Sequence, residues 1–118
     1  MTDEDLKSFF ARSYPEFFSF AHLLLKDRDS AGNVTAEAFF MLWQKAADLG
    51  SEINARAFLF TTIRNHSINF LQYRKKYPAE GTYTYDEQLA AFLPKELFSY
   101  LQTIMKNFNA GPDPGADA

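Results

Sequence analysis

The sequence predicts an all-α fold, a compact helical bundle. Three observations lead to it. Apolar residues recur at three- and four-residue spacing along most of the chain. The stretches so marked are punctuated by capping residues, glycines and prolines. A chain of 118 residues also suffices for one hydrophobic core without disulfides, which the absence of cysteine rules out in any case. Thirteen Phe, six Tyr and one Trp are enough to fill that core and leave rings over for a surface role.

Residues 3–13 read as a helix with Leu6, Phe9 and Phe10 on one face. Asp3, Glu4 and Asp5 suit its positive N-terminal end. Tyr14-Pro15 is expected to interrupt it, because a residue before proline is pushed away from helical angles. Pro15 would then open a second helix that runs to about residue 26, with Phe18, Ala21 or His22, and Leu25 at helical spacing. Residues 27–30 form a turn, with Asp29 and Ser30 as N-cap candidates.

The next helix runs to about residue 49. Val34, Ala38, Met41, Leu42 and Lys45 mark its inner stripe and edge, Phe39 and Trp43 add bulk, and Gly50 suits a left-handed C-cap. Residues 51–54 read as a short loop with Asn54 as the following N-cap. The longest helix spans residues 55–76, with Leu59, Ile63, His66, Phe70 and Tyr73 on one stripe and Arg64, Asn65 and Asn69 toward another face. Residues 78–85 form a linker containing Gly81 and alternating Thr and Tyr, as a loop or a short extended piece. Residues 86–92 and 94–108 again read as helical, the latter on Leu97, Tyr100 or Leu101, Ile104 and Phe108. A Pro/Gly-rich disordered tail is expected over 109–118. The chain thus divides into 1–77, 78–108 and 109–118.

The net charge of −3 does not by itself suggest a nucleic-acid binder, but the distribution does. Residues 1–60 carry six Lys/Arg and nine Asp/Glu, and residues 78–118 carry two Lys and six acids. Residues 61–77 carry Arg64, Arg74, Lys75 and Lys76 with no acid. Exposed charges beyond about 10 Å are largely screened, so an approaching phosphate meets this local basic patch; the plainer reading of the same cluster is a solvated helix end.

Enzymatic chemistry finds little support. The glycines are scattered, so no phosphate loop forms. His22 and His66 lack metal-site spacing and read as packed or surface residues. No Ser-His-Asp or Cys-His set can be assembled, and neither a cofactor nor a metal is expected. The acidic, polar N-terminus is unlike a signal peptide, and apolar runs such as Leu23-Leu24-Leu25 are too short to span a bilayer.

Three stretches, in order and correctly spaced, carry a resemblance. They are Tyr14-Pro15-Glu16-Phe17-Phe18-Ser19-Phe20-Ala21, the run from Ala31-Gly32-Asn33-Val34 through Glu37-Ala38-Phe39 to Trp43, and Asn54-Ala55-Arg56-Ala57-Phe58-Leu59-Phe60-Thr61-Thr62-Ile63-Arg64-Asn65. Together they resemble region 2 of extracytoplasmic-function (ECF) sigma factors, the promoter-melting domain of the sigma-70 family. The resemblance implies a cytoplasmic, non-enzymatic sigma factor or its promoter-melting fragment. Its partners would be core RNA polymerase, the single-stranded −10 region of promoter DNA and an anti-sigma factor.

By the same resemblance the helix containing Asn33, Glu37, Phe40, Met41 and Gln44 docks on polymerase, with Glu37 at an acidic contact position. The loop Asp48, Leu49, Gly50, Ser51, Glu52, Ile53 and Asn54 receives a base flipped out of the −10 element. Arg56, Arg64, Asn65, Asn69, Tyr73, Arg74, Lys75 and Lys76 line the unpaired strand. Cationic grooves with aromatic rings suit that task, since base stacking is worth about 1–3 kcal/mol per base. The family's acidic pair is replaced here by Gly32 and Asn33. The residues after Leu93-Pro94 also leave no room for a helix-turn-helix domain, as expected of a truncated product or a region-2-only variant. The alternative reading is a degenerate sigma-like module that binds polymerase or a regulator without initiating transcription.

Overall fold

The computed structural model describes residues 2–79 and 81–109, with the side chain of Asn109 left aside; of the tail expected over 109–118, residue 109 ends the last helix and residues 110–118 lie outside the described ones. The described residues form five helices and no strand, so the all-α expectation holds.

Helix α1 spans Asp3–Leu25. Thr2 caps it reciprocally: the Asp5 amide donates to Thr2 Oγ1 at 3.1 Å and the Thr2 amide donates to the Asp5 carboxylate at 3.0 Å. The expected break at Tyr14-Pro15 does not occur, and Pro15 sits inside the helix. Proline there costs about 3 kcal/mol through its missing N–H and its ring. Both Pro15 and Ala11, whose carbonyl loses its partner, lie on the exposed side, where water can bond the carbonyl. The opposite side buries Leu6, Phe9, Phe10, Tyr14, Phe17 and Phe18. At about 1.5–3 kcal/mol per large apolar side chain, that stripe outweighs the proline.

Helix α2 spans Arg28–Leu49, capped by Asp27 rather than by Asp29 or Ser30. The Asp27 carboxylate accepts from the Ser30 amide at 3.2 Å and from the Ser30 hydroxyl. Only Lys26 and Asp27 separate it from α1, and the tight reversal places Lys26 at φ 60°. Gly50 closes α2 at φ 72°, as its lack of a side chain suggests.

Helix α3 spans Glu52–Lys76, capped by Ser51. The expected 48–54 loop is therefore mostly helix. Asp48 and Leu49 end α2, Gly50 and Ser51 form the joint, and Glu52, Ile53 and Asn54 make the first turn of α3. Asn54 is not the N-cap. Its side-chain amide reaches back to the Leu49 carbonyl at 2.8 Å and ties the two helix ends together.

A short α4, Glu87–Ala90, replaces the longer helix expected over 86–92. Turn bonds from the amides of Phe92 and Leu93 to the carbonyls of Leu89 and Ala90 follow it, and α5 then spans Lys95–Asn109.

Helices α1, α2 and α3 pack mutually, α5 lies across α1 and α2, and α4 rests on α2. Contacts on several sides explain why α2 is buried nearly all round between Ser30 and Phe40. Phe39 is the hub. Its ring meets Phe10 at 4.9 Å, Tyr14 at 6.0 Å, Phe17 at 6.3 Å and Phe9 at 6.4 Å. Leu97 and Leu101 of α5 join the same core, and Phe108 packs edge-on against Phe18 at 4.9 Å.

Candidate functional site

Two surfaces carry the residues singled out in the sequence. The first is the outer side of α3. Asn65, Asn69, Gln72 and Lys76 follow one another at four- and three-residue spacing, so they share a stripe, and all four are exposed. Arg64 and Lys75 flank that stripe and are also exposed. Tyr73 and Tyr77 lean on each other with ring centroids 4.8 Å apart, and each is 46% exposed, which leaves ring surface open to solvent. Gln72 was missing from the sequence reading. Its polarity alone did not mark it, but its place between Asn69 and Lys76 would have.

The structure separates two residues from this group. Arg74 turns to the other side of α3, with its guanidinium 5.4 Å from the Phe70 ring centroid and one terminal nitrogen buried without a hydrogen bond. The Asp27 carboxyl is held below its ordinary value by the Ser30 hydroxyl first and, more weakly, by the nearby Arg74 charge. Arg56 is committed to Glu16 of α1 through two bonds of 2.9 and 2.6 Å. Its guanidinium also lies over the rings of Phe17 and Phe60. That fork pins α3 to α1 and depresses the Glu16 carboxyl. Phe58 is half-buried against the core.

Beside the α2–α3 joint, Asp5, Ser8, Arg12, Gly50, Ser51 and Glu52 line an open depression. An Arg12–Glu52 pair at 2.8 Å crosses it. Ile53, in the first turn of α3, is 80% exposed, unusually bare for a large apolar residue.

The second surface is the side of α2 that carries Asn33, Glu37, Phe40, Met41 and Gln44. Gln44 is exposed and Met41 is half-buried. The other three are covered by the chain's own residues 81–98. The Asn33 side-chain amide donates to the Tyr83 carbonyl at 2.7 Å. Phe40 is buried beneath Tyr85 at 5.4 Å and Phe98 at 5.9 Å. Glu37 is 6% exposed and accepts three hydrogen bonds. The Tyr83 hydroxyl donates to Oε1 at 2.6 Å, the Asp86 amide donates to Oε2 at 2.9 Å, and His66 Nδ1 lies 2.8 Å from Oε1.

His66 Nδ1 also lies 3.1 Å from the Tyr83 hydroxyl oxygen. The Tyr83 proton is committed to Glu37, so Nδ1 facing two oxygens carries a hydrogen. Burial by itself would raise the Glu37 pKa. The donors from His66, Tyr83 and Asp86 outweigh it, and the carboxyl sits below its ordinary value. Burial, then the hydrogen bond to Glu37 and its charge, push the Tyr83 phenol well above its ordinary value.

In the sequence Tyr83 stands in a linker and His66 on an apolar stripe. No local signal shows that a linker tyrosine meets a glutamate 46 residues away. Among the described residues no group of His, Cys, Asp and Glu is placed to hold a metal ion. No helix among them is long and apolar enough to cross a membrane.

No curated protein and no solved structure gives a match to the chain. Residues 9–77 match the Sigma-70 region 2 family, a span that runs from Phe9 of α1 to the residue after α3 and includes both the α2 face and the α3 stripe. With most of α1, the whole of α2 and α3, the two-residue joints between them and the acid-free end of α3 inside that span, the chain belongs to the sigma-70 region 2 family.

Proposed function

We propose that the protein is an ECF-type sigma factor, or the promoter-melting part of one, that binds core RNA polymerase through α2 and the unpaired −10 strand through α3. Membership of the region 2 family implies a sigma-factor-like interaction with polymerase and promoter DNA. One observation carries the finer reading. Residues 61–77 hold four cations and no acid, and they display Asn65, Asn69, Gln72 and Lys76 on one exposed stripe beside the open Tyr73–Tyr77 pair. Amides for base edges, ammonium groups for phosphates and rings for stacking are what a single strand requires.

On this reading residues 1–77 form the promoter-melting unit and residues 78–108 are appended to it. Lys75, Lys76 and Arg64 meet phosphates, Tyr73 and Tyr77 stack on bases, and the α2–α3 joint with its exposed Ile53 stands beside a flipped base. Arg56 serves the fold through Glu16 rather than the DNA. Both partners place the working protein in the cytoplasm.

Fluorescence anisotropy with a labelled −10 non-template strand, against the same sequence as duplex, tests the reading. Preference for the single strand, with affinity falling as salt rises, is the expected result. Equal binding to both forms contradicts it.

A second reading is a sigma-like module that binds polymerase without initiating transcription. The cover over Glu37 and Phe40 favours it. Run-off transcription separates the two: specific transcripts support the first, and sequestration of core without transcripts supports the second.

A further inference from the structure

We propose that residues 81–90, the loop after α3 together with α4, form a strap that occupies the polymerase-docking face of α2 in the free protein and lifts away when polymerase binds. The inference rests on the reading of α2 as the docking face.

The strap is held on α2 by a small set of directed bonds. The Tyr83 amide donates to the Ser30 hydroxyl at 2.9 Å, and that hydroxyl in turn donates to Asp27. Asn33 donates to the Tyr83 carbonyl, and Glu37 accepts from the Tyr83 hydroxyl and the Asp86 amide. Three of the five docking candidates, Asn33, Glu37 and Phe40, thus touch residues 83–86.

Asn33 is one of the two positions that depart from the acidic pair the family resemblance leads one to expect. Only a donor satisfies the Tyr83 carbonyl there, and an ionised carboxylate has no proton to give. The residue that weakens the expected docking charge is therefore the residue that fastens the strap.

The strap is built to leave. Gly81, Thr82, Thr84 and Asp86 are exposed, α4 buries no residue, and among the described residues the loop makes no backbone ladder with a neighbour. Segments with few buried contacts and solvated backbones are the ones that open locally. Helix α5 differs. Leu97 and Leu101 are fully buried and Lys7 pairs with Glu96 at 2.7 Å, so α5 stays docked while the residues before it move.

A face that must first be uncovered binds with its intrinsic affinity multiplied by the fraction uncovered. The partner that displaces the strap must itself offer hydrogen-bond donors to Glu37, replacing the Tyr83 hydroxyl and the Asp86 amide.

The test measures binding of the full chain to core polymerase for the wild type, for Tyr83→Phe and for Tyr83→Ala/Tyr85→Ala, with circular dichroism as a check on folding. Tyr83→Phe keeps the ring and removes only the hydroxyl, so it decides the matter if the double variant fails to fold. Tighter binding is expected, by about 3-fold or more for Tyr83→Phe and about 10-fold or more for the double variant. Hydrogen exchange at residues 83–90 should speed up when polymerase is added to the wild type. Equal affinities with unchanged exchange overturn the strap while leaving α2 as the docking face. Weaker binding by a folded variant also overturns it, because the strap would then belong to the contact. Failure of all three proteins to bind core polymerase overturns the docking reading itself, and the strap with it.

Discussion

Glu37→Gln is the substitution whose consequence the structure defines most closely. The carboxylate is 6% exposed, with Tyr83 and His66 on Oε1 and the Asp86 amide on Oε2. A glutamine has one acceptor oxygen. Its carbonyl will face the two donors on the Oε1 side, which leaves its NH₂ against the Asp86 N–H. One charge-assisted bond is lost, at about 1.5–3 kcal/mol. Two others fall from charge-assisted to neutral strength, at about 1 kcal/mol each. The lower cost of burying an amide than a carboxylate returns part of that loss. The net is about 2–3 kcal/mol, concentrated on the strap.

The depressed pKa fixes the sign of the pH dependence. A carboxyl whose folded pKa lies below its unfolded value contributes stability above the unfolded value, near 4.5, and loses it as pH falls through the folded one. Native-state hydrogen exchange at the Asp86 amide and urea melts between pH 7 and pH 3 measure both effects. The variant should lose protection at Asp86 at neutral pH, and its stability should fall less than the wild type's on acidification. Unchanged protection and an unchanged acid profile would refute the role assigned to Glu37.

Lys75→Glu/Lys76→Glu should weaken single-strand binding and lower the salt-dependence slope by about 1.4, at about 0.7 per phosphate contact, as read from anisotropy titrations in increasing salt. Polymerase binding by the same variant should be unchanged. Pro15→Ala should stabilise the protein by about 1–3 kcal/mol in thermal or urea melts, since it restores a bond inside an unbroken helix. Gly50→Ala should cost about 1 kcal/mol in the same melts. A Cβ there meets nothing within 4 Å, so the positive φ alone is responsible.

The helices were legible because their signals are local. Leu6, Phe9 and Phe10, or Leu59 and Ile63, reveal their faces by spacing, and Gly50 announces the end of α2 by its backbone freedom. The failures have a shared cause. Pro15 was read as a break because its local cost is visible in sequence, whereas the aromatic stripe that overrides it is a tertiary effect. Asp27 and Ser51 displaced Asp29, Ser30 and Asn54 as caps by only two or three residues, because several neighbouring side chains can all accept from a helix N-terminus.

The candidate sites were legible in part. The cationic, acid-free end of α3 is a matter of composition, and Arg64, Lys75 and Lys76 of it are exposed; Arg74 there and Arg56 near the helix's other end are turned to other uses. Those two found partners, Phe70 and Glu16, that their own surroundings in the sequence do not indicate. The cover over Glu37 was not legible at all. Tyr83 and Tyr85 read as linker and Asp86 as the start of a helix, and only the folded chain brings them to Asn33, Glu37 and Phe40.

A titration of core RNA polymerase into the labelled −10 single strand, with and without the purified protein, tests the central claim most directly. The account predicts a complex of protein, polymerase and labelled strand that excess unlabelled single strand disrupts and an equal excess of the duplex does not. A protein that leaves the strand equally free whether or not core polymerase is present would contradict it.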